Sequence, residues 1–154
     1  MRITKYKIEI DACNKNVLVK ENSNNYSVDS LNSPRKIVEM ICNLYRLNHM
    51  AEEYCYMICM NSKSKPCGVF EVSHGVINGT FCNSREIFVR CLLVAASQIV
   101  ILHNHPSGDV TPSEQDIESY HKLKKAGQIM GVEVVDSIIV GSNDFLSIRN
   151  FEEV

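Results

Sequence analysis

The chain has 154 residues, 45% of them hydrophobic, with 16 Lys and Arg against 18 Asp and Glu and a formal net charge of −2. That is enough apolar material for one domain with a real core and too little for two. No apolar stretch is long enough to span a bilayer and no leader-like segment opens the chain, so the expected location is the cytoplasm. No basic run offers the phosphate-neutralising face that duplex binding needs, and the cluster Lys122, Lys124 and Lys125 reads as a solvated helix face.

In chain order, Ile3 to Ile10 alternates, with Tyr6, Ile8 and Ile10 on one face, and predicts an early strand. Asn14 to Asn25 is polar and turn-like, interrupted by the short apolar run Val17-Leu18-Val19. Residues 1–32 are thus expected to form a strand or hairpin extension ahead of a main domain over 33–154. Ser33 before Pro34 is an N-cap with proline at the first helical position, and Ile37, Met40, Ile41, Leu44 and Leu47 follow at helical spacing. Tyr54 to Met60 predicts a buried strand ending at the polar turn Asn61 to Pro66, and Val69 to Val76 a second. Arg85 to Ser97 fits a helix offering Ile87, Leu92, Leu93 and Ala96 for packing. Gln98 to Leu102 reads as a buried strand, after which Pro106, Ser107 and Gly108 force a turn. Ser113 to Met130 predicts a helix that stops near Gly131. Val132 to Val140 is β-branched and predicts a strand, with Leu146-Ser147-Ile148 as a last short one. Strands separated by helices argue for an α/β fold without specifying the strand order.

Between that last helix and the strand before it lies the run ILHNHPSGDVTPSEQD, which carries His103, His105, Ser113 and Asp116. Residues two apart on an extended segment share a face, so the two imidazoles can converge. Asp116 falls in the first helical turn, facing back toward them. Two histidines and one carboxylate with an open fourth position are the ligand set of a catalytic zinc site. A plainer reading stands beside this one. Ser113-Glu114-Gln115-Asp116 is also a capping box, with acidic residues at the positive end of the helix. A lone His-x-His at a strand end is more often polar surface than ligand. The two roles are compatible, because a capping serine keeps a hydroxyl lone pair. Their joint occurrence around HNHPSGD favours the metal. Asn104, between the histidines, is expected to face away and fix the loop.

HNHPSGD followed by PSEQD resembles the signature of the RadC-like JAB/MPN domain, of the JAMM metalloprotease-like family. The resemblance continues upstream through Gly75 to Asn78, Ser84-Arg85-Glu86-Ile87-Phe88 and Ala95-Ala96. Downstream it runs through Leu123, Ala126-Gly127, Gly131, Asp136, Ile139 and Gly141 to Ser147, so that it covers residues 33–149. It implies a three-layer α/β sandwich, with a curved mixed sheet flanked by helices, of the cytidine-deaminase-like kind. It also implies zinc-dependent peptidase or isopeptidase chemistry, in which a metal-bound water attacks an amide carbonyl of a peptide or protein substrate. On that pattern His103, His105 and Asp116 hold Zn2+, and Ser113 donates a hydrogen bond to the developing oxyanion. A glutamate ahead of an earlier strand is the general base. The matching segment is Glu53-Tyr54-Cys55-Tyr56-Met57-Ile58-Cys59-Met60, so Glu53 is the expected base and Glu52 would point the other way once the strand has begun. Glu71 and Glu86 are weaker competitors.

The family also carries an association with DNA repair, and its longer members have a helix-hairpin-helix region. No such Gly-rich hairpin is recognisable in residues 1–50, so direct DNA binding is not favoured. A repair or recombination accessory without hydrolysis, and a module in which zinc only stabilises the fold, are the alternatives. The chain departs from the family pattern at Ser84 (proline), Ser137 (histidine) and Tyr120 (threonine), all outside the ligand set. Such positions bear on the shell that orients ligands. The seven cysteines are odd in number and lack Cys-x-x-Cys, which predicts free thiols in a reducing compartment, with Cys55 and Cys59 in the core. His49, His74 and His121 have no partner at ligand spacing.

Overall fold

Strand alternation divides the apolar residues of the central strands between two faces, and each face builds its own core. The computed structural model describes residues 1–75 and 83–153. Its elements are β1 (Arg2–Ile10), β2 (Asn16–Asn25), α1 (Pro34–Tyr45), β3 (Tyr54–Met60), β4 (Pro66–His74), α2 (Ser84–Leu93), β5 (Gln98–Asn104), α3 (Glu114–Met130), β6 (Glu133–Val140), β7 (Phe145–Ser147) and α4 (Ile148–Glu152). Among the described residues the strands form one seven-stranded sheet, in the order β2-β1-β4-β3-β5-β6-β7. It is mixed: β1 runs parallel to β4 and β5 parallel to β6, and the other neighbours are antiparallel.

On one face Cys55, Met57 and Cys59 of β3 and Ile99 and Ile101 of β5 pack against Ile87, Phe88 and Cys91 of α2 and Leu123 of α3. On the other, Tyr56, Ile58 and Met60 with Val100 and Leu102 pack against Ile37, Met40 and Ile41 of α1 and against Leu47 in the turn that follows it. Helices on both faces of the sheet make the three-layer α/β sandwich that the family resemblance implied. The parallel pair β5 and β6 needs a crossover, and α3 supplies it. A loop is therefore forced between the C-terminal end of β5 and the start of α3, the part of an α/β sheet where ligands are commonly bound.

Four expectations are corrected. Residues 16–25 form a strand, antiparallel to β1, where a polar turn was expected. Asp11 accepts from the backbone N–H groups of Cys13 and Lys15 and closes the hairpin turn early, and an edge strand tolerates polar side chains on its open surface. Ile10 shares the strand but is exposed, beyond the reach of the core. Helix α2 ends at Leu93 rather than Ser97, where Ala95 turns left-handed and its neighbour's N–H closes on the Cys91 carbonyl. Leu92 and Leu93 are consequently exposed, while Phe88 and Cys91, four residues apart or adjacent to Ile87 on the same stripe, take their place inside. Ile148 begins α4 instead of extending a strand, because Ser147 caps the helix through the N–H of Asn150. The strand predicted over 69–76 runs Pro66–His74 in its described part, while Val76, Asn78 and Cys82 lie outside the described residues.

Gly127 shows how tightly α3 sits on β6. A β-carbon there would meet the Val132 carbonyl oxygen at 2.4 Å and Val134 Cγ2 at 3.0 Å. Backbone cannot yield as a side chain does, so Gly127→Ala is expected to lower stability by about 1–3 kcal/mol despite alanine's better helix propensity. A thermal melt of the variant beside the wild type measures it; an unchanged or raised Tm would mean that α3 can shift freely on the sheet.

Candidate metal centre

His103 is paired through the backbone with Cys55 on one side and Ile139 on the other, at the inner end of β5. The His105 N–H donates to the Val140 carbonyl at 2.9 Å, which keeps the chain extended one step beyond the strand and places both rings on the α2/α3 face. The loop then doubles back, with the Gly108 N–H on the His105 carbonyl, and enters α3 at the N-cap Ser113. Gly141 holds this loop from below. A β-carbon at Gly141 would lie 2.8 Å from the Gly108 carbonyl oxygen, so the turn after β6 and the histidine loop are in backbone contact.

The result is a triangle of inward-facing donors. His103 Nε2 and His105 Nε2 lie 3.1 Å apart, His103 Nε2 lies 3.2 Å from Asp116 Oδ1, and His105 Nε2 lies 3.8 Å from Asp116 Oδ2. All three ligand atoms fall within 4.8 Å of one another. His105 Nδ1 is 2.7 Å from the Asp109 carbonyl, which can only accept. Nδ1 therefore carries a proton, which leaves Nε2 as the ring atom turned to the centre and fixes the ring's orientation, as for a metal-ligating imidazole. His103 and Asp116 are buried and His105 is partly so. Burial works to raise the pKa of Asp116, but hydrogen bonds from His103 and Ser113 and the charge of His103 outweigh it and hold the carboxyl well below the usual range. Two imidazoles and an ionised carboxylate, converging on one point, can hold a divalent metal ion.

Ser113 has the capping role in this geometry. Its Oγ accepts from the Asp116 N–H at 3.2 Å and donates to Asp116 Oδ2 at 2.6 Å, while its own N–H donates to the same oxygen at 2.8 Å. The capping box is thus complete, and it also aims the carboxylate. Ser113→Ala is expected to cost about 1 kcal/mol of stability from the lost cap and to weaken metal binding by about 10- to 100-fold. A competition titration against a chelating dye measures the second effect, and an unchanged affinity would mean that the serine does not aim the carboxylate for the metal.

Glu53 immediately precedes β3. The register Cys55 opposite His103 places Glu53 and Cys55 on the face that bears His103 and His105. Glu53 Oε2 is buried and has no hydrogen-bond partner in the protein. Glu52 is turned toward the end of β4, where a β-carbon on Gly75 would lie 3.5 Å from its Oε2. Glu71 pairs across the sheet with Tyr56, on the α1 face, and is bound by Lys5 at 2.9 Å, Tyr56 Oη at 3.2 Å and His74 at 3.1 Å. Glu86 is exposed and paired with Arg90. Both are thus engaged by partners of their own.

Tertiary structure adds residues that local pattern did not single out for the site. Cys55, Ser119, Tyr120 and Ser137 surround a cavity of about 20 Å³ behind His103 and Asp116, room for about one water. Two of the three departures from the family pattern, Tyr120 and Ser137, thus meet at one place. The bulkier residue on α3 faces the smaller one on β6.

The sequence model of the RadC-like JAB domain matches residues 31–153. The chain is 35% identical over 121 residues to a UPF0758 protein of Pelobacter propionicus, covering 79% of this chain and 52% of that one. It is 38% identical over 120 residues to a UPF0758 protein of Finegoldia magna, with 78% and 53% covered. A UPF0758 protein of Clostridium beijerinckii is 34% identical over 119 residues, with 77% and 51% covered. The chain spans about half the length of the curated relatives it matches.

Proposed function

Because the chain belongs to the RadC-like JAB domain family, we propose that it is a zinc-dependent amide hydrolase of the JAMM type, acting on a peptide or isopeptide bond in a protein substrate. The observation that carries this is the convergence of His103 Nε2, His105 Nε2 and Asp116 on one point, three protein ligands among the described residues, the number a catalytic site uses. Zinc held there supplies Lewis acidity, polarising a carbonyl and making a water acidic near neutral pH. The chain's own groups do the rest. Glu53, without a hydrogen-bond partner at Oε2 among the described residues, takes the proton of the attacking water and delivers it to the leaving nitrogen. Ser113 Oγ turns its proton from Asp116 Oδ2 toward the substrate oxyanion, a contact whose loss typically costs on the order of 100- to 1000-fold in rate.

A formal charge of −2 and the solvated Lys122, Lys124 and Lys125 weigh against nucleic acid as the substrate. Among the described residues no helix is long and apolar enough to cross a membrane. The thiols of Cys59 and Cys91 in the core, outside any disulfide, fit a reducing compartment such as the cytoplasm. Elemental analysis of the purified protein, with a peptide library incubated with and without chelator, tests the reading. One zinc per chain and chelator-sensitive cleavage are expected. Protein that neither contains zinc nor takes it up would overturn the hydrolase and leave a non-catalytic accessory role.

A further inference from the structure

Asn104 stands between the two metal-binding histidines and, by strand alternation, points its side chain to the opposite face of the sheet. It does not fix its own loop. It is buried, and all three of its hydrogen bonds go to a segment about fifty residues earlier. Oδ1 accepts from the Tyr54 N–H at 2.7 Å, and Nδ2 donates to the Glu52 carbonyl at 2.9 Å and to the Met50 carbonyl at 3.2 Å. Tyr54 and Glu52 are the residues on either side of Glu53, and Met50 lies three residues before it. The β3–β5 ladder starts at Cys55 opposite His103, so one step further on the side chain of Asn104 replaces the backbone pairing. The backbone of Asn104 meanwhile pairs with Val140 of β6. On the far side, the Gly75 N–H holds the Glu53 carbonyl at 2.9 Å.

We propose that Asn104 is the positioning residue for Glu53: it ties the peptide units flanking the glutamate to the strand that carries His103 and His105, so base and metal ligands move as one body. This rests on the reading of Glu53 as the base. The chemistry demands an amide. One planar group must offer an acceptor to an N–H and two donors to two carbonyls. Aspartate lacks the donors, serine reaches one partner, and glutamine is a methylene too long. Because the partners are backbone groups of known polarity, the amide has one orientation that satisfies all of them. The histidine rings lie on the other face and keep their own supports in Asp109 and Asp116.

The test compares Asn104→Ala with Glu53→Gln and the wild type by three readouts. Amide exchange at Tyr54 in the metal-free protein is expected to accelerate on the order of tenfold in Asn104→Ala, as one buried hydrogen bond is lost. Zinc affinity is expected to stay within about threefold, because no ligand or ligand partner is touched. In the cobalt-substituted protein, the pH midpoint of the visible absorption band should move in Glu53→Gln and move the same way in Asn104→Ala. A band that shifts in Glu53→Gln but titrates as wild type in Asn104→Ala would overturn the positioning role while leaving the base in place. No shift in Glu53→Gln would overturn the base assignment, and the positioning role with it. Should the alanine variant not fold, Asn104→Ser, which keeps one of the three contacts, is read the same way.

Discussion

The double substitution His103→Ala/His105→Ala is expected to reduce metal content from about one zinc per chain to none while the fold persists. Each histidine contributes one of three ligand atoms, so the variant keeps only the Asp116 carboxylate, which cannot hold a divalent ion against water by itself. The fold should survive because His103 is held in the sheet by backbone pairing to β3 and β6, and the core on its face is built from Met57, Ile87, Ile99, Ile101 and their neighbours. The variant should, however, respond differently to acid. In the metal-free wild type Asp116 titrates below its ordinary value of 3.8, so its contribution to stability is present above that value and lost as the pH falls through the depressed one. Without His103, only the Ser113 hydrogen bonds are left to oppose burial, so the carboxyl is less depressed and acid unfolding of the variant should begin at higher pH. Elemental analysis with circular dichroism measures both effects. Zinc retained by a folded double variant would place the metal elsewhere.

Glu53→Gln is expected to keep zinc and lose turnover by about 100- to 10,000-fold, the range for removing a positioned general base. The amide matches the carboxylate in shape, so backbone and metal ligands are undisturbed, but it cannot accept the proton. Glu52→Gln is the control. Its side chain is directed toward Gly75 and away from the triangle, and turnover should be unchanged. The readout is cleavage of a peptide found active with the wild type, at equal zinc loading. Loss with Glu52→Gln and none with Glu53→Gln would exchange the two roles. Equal loss in both would indicate that the segment before β3 matters through its backbone, which the Tyr54 exchange measurement would then reveal.

The cluster that could hold a metal was legible because its chemistry is local. His103 and His105 sit two apart on an extended segment, Ser113 and Asp116 three apart at a helix start, and both periodicities follow from backbone geometry. Helix α1, strand β3 and the stop of α3 at Gly131 were legible for the same reason. Reading failed where apolar content was weighed without its period. Leu92 and Leu93 are apolar but off the stripe set by Ile87 and Cys91. It failed as well where an edge tolerates polar residues, as in β2.

The chain's own order of residues, then, determined the α/β class, the candidate metal cluster and the capping box that aims Asp116, since each depends on neighbours within one turn or one strand. Tertiary structure alone decided what supports them. The strand order β4-β3-β5-β6 brings Glu53 to the histidine face and Glu71 to the other, although both are glutamates beside apolar strand residues. The Gly141 contact with the Gly108 carbonyl, the meeting of Tyr120 with Ser137, and the grip of Asn104 on Met50, Glu52 and Tyr54 likewise join segments tens of residues apart. No local period encodes such pairs, because they exist only once the sheet register has brought distant backbones within hydrogen-bonding distance.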